Sequence, residues 1–132
     1  MVQGEALHNN VFNAQLKEQP KLRKDKGSPV VIGGPCSAES REQVLTTARS
    51  LSLKGKVQFL RAGLWKPRTR PNTFEGRGKE ALPWLMEAQR ETGLCAMTEV
   101  ATPEHVEAVL EAGMTAMWIG ARTTVSPFAV QA

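Results

Sequence analysis

The stretch Val57-Gln58-Phe59-Leu60-Arg61-Ala62-Gly63-Leu64-Trp65-Lys66-Pro67-Arg68-Thr69 passes from a short apolar run into a loop carrying three cations and a hydroxyl. The run reads as a strand and the loop as its exit. Arg offers a planar fork of donors and Lys a point charge, a combination that holds phosphate and carboxylate oxygens. Pro67 fixes one backbone angle and biases its neighbour toward extended geometry, so the cations sit on a stiffened loop. Taken alone, such a stretch also fits a solvated basic turn.

The same layout occurs twice more. Pro29-Val30-Val31-Ile32 runs into Gly33-Gly34-Pro35-Cys36-Ser37, and Ala116-Met117-Trp118-Ile119 runs into Gly120-Ala121-Arg122-Thr123-Thr124. Each is an apolar strand, a small-residue turn and then a polar or charged group. In parallel α/β folds the loops after the carboxyl ends of the strands form the active-site face. Cys36, Arg61, Lys66, Arg68 and Arg122 are therefore expected on one rim despite their separation in sequence.

Between these points the pattern alternates regularly. Strands are expected at Val30–Gly33, Val57–Arg61, Leu94–Val100 and Thr115–Ile119. A helix from about Ser40 to Leu53 has Ser40 as its N-cap, with Val44, Leu45, Ala48 and Leu51 on one face. A second spans about Gly78 to Thr92 and stops at Gly93. A third starts at the cap Thr102, with Pro103 and Glu104 in its first turn, and ends near Gly113. Ser126-Pro127 opens a fourth. Residues 1–27 are polar and weakly periodic and read as an extension with one short helix around Phe12 to Lys17. Four βα units in series call for a parallel sheet with right-handed crossovers. A doubly wound sheet and a segment of a barrel both satisfy that pattern.

GPCSAES, LRAGLWKPRT and IGARTT, in that order and spacing, resemble the 3-deoxy-D-arabino-heptulosonate 7-phosphate (DAHP) synthases over about residues 28–132. The KPRT and GARTT wording points away from the sister 3-deoxy-octulosonate 8-phosphate synthases, which share barrel and chemistry. The resemblance implies a TIM (β/α)8 barrel. A complete barrel needs roughly 250 residues, so residues 28–132 are expected to form its first four βα units, the N-terminal half, behind a polar extension at 1–27. The reaction implied is an aldol-type condensation of phosphoenolpyruvate with erythrose 4-phosphate, the entry to the shikimate pathway. A chain with half a barrel is expected to be inactive alone.

The resemblance also assigns roles. Arg61, Lys66 and Arg122 match cations that bind phosphoenolpyruvate, and Lys66 would stabilise or protonate the developing alkoxide. Pro67, Arg68 and Thr69 match the segment that grips the phosphate of erythrose 4-phosphate. Cys36 matches one ligand of a divalent metal (Mn²⁺, Fe²⁺, Zn²⁺ or Co²⁺), whose His, Glu and Asp partners are expected beyond residue 132. One thiolate does not hold such an ion by itself. Glu99 either orients water or a cation or hydrogen-bonds neighbouring backbone. Thr123 and Thr124 either donate to phosphate or cap a turn. His8 and His105 read as surface histidines, Cys95 as a small core residue, and Trp65 and Trp118 as core packing. Val31, Met97, Ala116 and Trp118 are candidates for the barrel interior, depending on register.

Composition narrows the alternatives. The net charge of +4 concentrates around Lys17–Lys26 and Arg61–Lys79, and the aromatic count is low, with no Tyr. A small anion explains the second cluster better than nucleic acid does. No apolar run reaches membrane-spanning length and the first residues lack a signal-peptide core. No nucleic acid or membrane partner is expected, the compartment expected is the cytoplasm, and the full-length form is expected to be a homo-oligomer. The competing readings are a non-catalytic phosphate-binding half-barrel module and a nucleic-acid-binding protein.

Overall fold

The computed structural model describes residues 27–65, 72 and 76–132; the expected short helix at Phe12 to Lys17 lies outside them. Four strands form one parallel sheet: β1 (Ile32–Gly33), β2 (Phe59–Arg61), β3 (Cys95–Val100) and β4 (Ala116–Ile119). Between them come α1 (Arg41–Leu53), a 3₁₀ turn (Gly78–Ala81) leading into α2 (Leu82–Thr92), and α3 (Pro103–Glu111). Two short helices follow β4, α4 (Ala121–Thr124) and α5 (Pro127–Gln131).

The strands lie in the order β1-β2-β3-β4, all pairs parallel. This order separates the two expected architectures. A doubly wound sheet reverses its strand order partway and carries helices on both faces, whereas sequential right-handed crossovers put every helix on the same face. One apolar cluster joins Val44, Leu45 and Ala48 of α1, Leu60 of β2, Leu82, Leu85 and Ala88 of α2, Ala96 and Val100 of β3, and Ala108 and Val109 of α3. All three long helices therefore share one face of the sheet, and among the described residues no helix lies on the opposite face. That is the layout of consecutive barrel units.

Register shows which side chains occupy the helix-free face. Ile32 pairs with Phe59, Arg61 with Met97, Met97 with Ala116, and Glu99 with Trp118. Side chains alternate along a strand, so Ile32, Arg61, Met97, Glu99, Ala116 and Trp118 share that face. Of the interior candidates, Met97, Ala116 and Trp118 hold their place, and Val31 gives way to Ile32. A side chain on Gly33, the residue of Val31's parity, would meet Leu51 and Val57 on the helix side.

The helix caps follow the sequence reading. Ser40 Oγ accepts from the Gln43 N–H (3.1 Å), while Gln43 Oε1 reaches back to the Glu39 N–H (2.8 Å), so two otherwise orphaned donors are satisfied at the start of α1. Thr102 Oγ1 accepts from the His105 N–H (3.3 Å) at the start of α3. Three departures from expectation have a local cause. The second helix opens as a 3₁₀ turn because Pro83, near the start of α2, lacks an N–H and crowds the turn before it. β1 is shorter because the Gln58 side chain takes the Val31 N–H (2.7 Å), replacing a ladder partner. The GARTT segment, read as a loop, forms the helical turn α4. There the Thr123 and Thr124 N–H groups both donate to the Gly120 carbonyl (3.0 Å each).

Candidate active-site rim

Backbone hydrogen bonds join the carboxyl end of β1 to that of β2. After β1 the chain kinks at Gly34, whose φ is +141° and where a Cβ would overlap the Arg61 carbonyl oxygen; only glycine permits so close an approach. Beyond the kink the two exits pair again. Gly63 N–H donates to the Cys36 carbonyl (3.2 Å), and Ala38 N–H to the Gly63 carbonyl (2.9 Å). Ser37 and Gly63 form a parallel bridge. This second ladder explains the small residues of GGPCS and RAG, and it fixes Cys36, which is exposed, next to the exit of β2.

The basic loop is closed at its base. Gly78 N–H donates to the Leu64 carbonyl (2.9 Å). Gly76, at φ +99°, lies where a Cβ would overlap that same oxygen. Arg77 Nε donates to the Glu39 carbonyl (3.1 Å), tying the return to the chain that leads into α1. Lys66, Pro67, Arg68 and Thr69 lie outside the described residues.

Arg61, the last residue of β2, is half-buried on the helix-free face. Its guanidinium carbon lies 5.4 Å from the centre of the Trp118 ring, within cation–π range. Its Nε is buried with no hydrogen-bond partner. Glu99, opposite Trp118, is half-buried, and its carboxylate packs against the Cα of Gly120, where any Cβ would collide with it. Arg122 is exposed on α4. Thr123 is 8% exposed. It lines a cleft of about 350 Å³ with Val100, Val106, Ile119 and Val130, on the side of the sheet away from Arg61. The structure thus brings Cys36, Arg61 and Glu99 to the carboxyl rim, with Arg122 in the turn after β4, and sends Thr123 elsewhere.

Two aromatic arrangements were not legible as site features. Trp118 is not a core residue but the platform under Arg61. The signal available was parity: Trp118 and Gly120 bracket Ile119, and Trp118 shares a face with Ala116. His105 is not a surface histidine. Its ring stacks on Trp65 at 4.1 Å between centres and 10° between planes, and its Nδ1 accepts from the Ala101 N–H (3.2 Å). Burial pushes the imidazole below its usual range, with Glu104 pulling weakly the other way. Cys95 is buried as expected, and burial pushes its thiol up against a smaller opposing contact with Thr115.

Among the described residues no three His, Cys, Asp or Glu side chains come together as a metal site. Cys36 is one donor at the rim, so the described residues do not by themselves fit a divalent metal. No helix among them is long and apolar enough to cross a membrane.

Comparison with known proteins agrees with the fold. Over 81 residues the chain is 42% identical to phospho-2-dehydro-3-deoxyheptonate aldolase of Thermotoga maritima, a match covering 61% of this chain and 24% of that protein. The crystal structure of the phospho-2-dehydro-3-deoxyheptonate aldolase (DAHP synthase) from Thermotoga maritima superposes with a TM-score of 0.64 at 36% identity, covering 75% of this chain and 28% of that one. The chain therefore spans about a quarter of the length of the relatives it matches. Residues 12–131 match the model of the DAHP synthetase I family, and the chain belongs to that family.

Proposed function

We propose that this chain supplies the phosphoenolpyruvate-binding rim of a 3-deoxy-7-phosphoheptulonate synthase, the enzyme that opens the shikimate pathway and aromatic amino acid biosynthesis. The observation that carries the reading is Arg61. It is a half-buried cation at a strand's carboxyl end, with a donor unmet and no salt bridge among the described residues. A cation so placed is an incomplete site, and an anion completes it.

In the reaction, carbon 3 of phosphoenolpyruvate attacks the aldehyde carbon of erythrose 4-phosphate. Water adds at carbon 2, and inorganic phosphate leaves by cleavage of its C–O bond. Arg61, Arg122 and Lys66 would hold the phosphate and carboxylate of phosphoenolpyruvate, and Lys66 would also protonate the new alkoxide. Pro67, Arg68 and Thr69 would seat the phosphate of the aldose. Glu99, held against Gly120, would orient water near carbon 2. Cys36 would give one thiolate to a divalent metal whose remaining ligands come from outside the described residues. The described residues alone are not expected to sustain turnover.

The test is equilibrium binding. Phosphoenolpyruvate should bind and be displaced by inorganic phosphate, and not by pyruvate. Lys66→Ala should weaken it, while Lys79→Ala, on the 3₁₀ turn away from the rim, should not. Equal affinities for the two variants, or binding indifferent to the phosphoryl group, would contradict the reading.

A further inference from the structure

Arg61 and Trp118 stand on strands that are not neighbours. β3 lies between them, so about 9–10 Å of sheet separates their backbones. Register puts Arg61 level with Met97 and Ala116, and Trp118 two residues nearer the carboxyl edge on the same face. The arginine side chain must cross over Met97 and lean toward the rim for its guanidinium to reach 5.4 Å from the ring centre. A residue this long has many other rotamers, and ordering it costs entropy.

The partner that holds it matters chemically. A carboxylate would engage the N–H groups in the guanidinium plane and cancel the charge. Glu99, the nearest acid on that face, is instead packed against Gly120, and no salt bridge involves Arg61 among the described residues. An aromatic ring engages the guanidinium through its face. The in-plane donors and the charge stay available. Arg61 Nε remains buried without a partner in this pose, so no hydrogen bond through that atom holds the side chain.

We propose that Trp118 is a positioning residue, which fixes Arg61 by its ring face and leaves the guanidinium's donors directed at the anion. The proposal rests on the reading of Arg61 as an anion-binding cation and adds the reason a tryptophan stands two residues before Gly120.

Two substitutions separate the ring from its bulk. Trp118→Phe keeps an aromatic face, whereas Trp118→Leu keeps apolar volume without one. Titration with phosphoenolpyruvate should show Trp118→Leu weakened by about threefold to thirtyfold, the range a cation–π contact supports. Trp118→Phe should retain most of the affinity, and both should keep a cooperative thermal transition. In parallel, phenylglyoxal labelling of Arg61, followed by peptide mass spectrometry in the absence of ligand, should be faster in Trp118→Leu than in the parent or in Trp118→Phe. If the Leu variant loses its transition, Trp118→Met replaces it. Unchanged labelling of Arg61 in the Leu variant overturns the proposal, as does a loss of affinity equal in the Phe and Leu variants. If the parent chain binds no phosphoenolpyruvate, the functional reading fails, and the labelling rates still decide whether Trp118 holds Arg61.

Discussion

Alternate residues of the same strands lead to two faces of unlike character. On the covered face, Leu60, Ala62 and Ala96 are fully buried, packed against three helices and free of any charge. On the bare face, Arg61, Met97, Glu99, Ala116 and Trp118 are half-exposed, chemically mixed and without a helix over them. One peptide bond separates Leu60 from Arg61, yet one side chain packs into the core and the other is the cation proposed to bind the anion. A parallel sheet buried on both faces reads as continuous apolar runs; here a cation and an acid interrupt two runs at their carboxyl ends. On the proposed reading, function falls to the residues of one parity near the carboxyl ends of the strands, while Phe59 and Cys95, of the same parity further back, are buried.

The largest effect should fall on the covered face. Leu85 of α2 is fully buried within the cluster. Leu85→Ala should cost about 2–5 kcal/mol, as large-to-small core changes do, read as a lowered denaturation midpoint. Phosphoenolpyruvate affinity of the folded fraction should be unchanged. A cost below 1 kcal/mol would mean that the helices do not pack on the sheet as described.

Gly34→Ala acts where the two faces meet the rim. The new Cβ would overlap the Arg61 carbonyl oxygen at a backbone angle that disfavours side chains. A strain of about 1–3 kcal/mol is expected, together with loss of anion binding out of proportion to it, because the kink sets both Cys36 and Arg61. Retained binding with lowered stability would show that the kink is structural only.

The smallest effect should come from pH. Burial holds the His105 imidazole below its usual value of about 6.5, so the folded state favours the neutral ring that accepts from Ala101. As pH falls the unfolded chain binds the proton first. The stabilisation is therefore present above about pH 6.5 and is lost as pH falls through the folded pKa. Between pH 7.5 and 5.5 the melting temperature of the parent should fall more than that of His105→Phe, which keeps the stack on Trp65 without the titration. Parallel profiles would remove His105 from the account.

Much of this division was legible in the sequence. Strand–turn–polar repeats located the rim, and the caps Ser40 and Thr102 announced themselves by type and spacing. The choice between two α/β architectures was not legible from pattern alone, because four βα units satisfy both; it needed the strand order or the resemblance of the three motifs. Val31 and Ile32 are alike in composition, and only the pairing of Ile32 with Phe59 tells which one faces inward. The two aromatic contacts were hidden for a related reason. Trp65 meets His105 across 40 residues of chain and Arg61 meets Trp118 across 57, and no local rule links such pairs. Lys66, Pro67, Arg68 and Thr69 keep the standing the sequence gives them, as proposals about a loop whose neck alone is described.

The most direct measurement compares the two neighbours on opposite faces. Leu60→Ala and Arg61→Ala are each followed by thermal unfolding and by titration with phosphoenolpyruvate. Leu60→Ala should lose about 2–5 kcal/mol of stability and bind normally where folded. Arg61→Ala should melt close to the parent and lose about tenfold to a hundredfold in affinity, the range of a hydrogen bond to a charged group. An Arg61→Ala chain that binds phosphoenolpyruvate as the parent does would contradict the assignment of the bare face to chemistry.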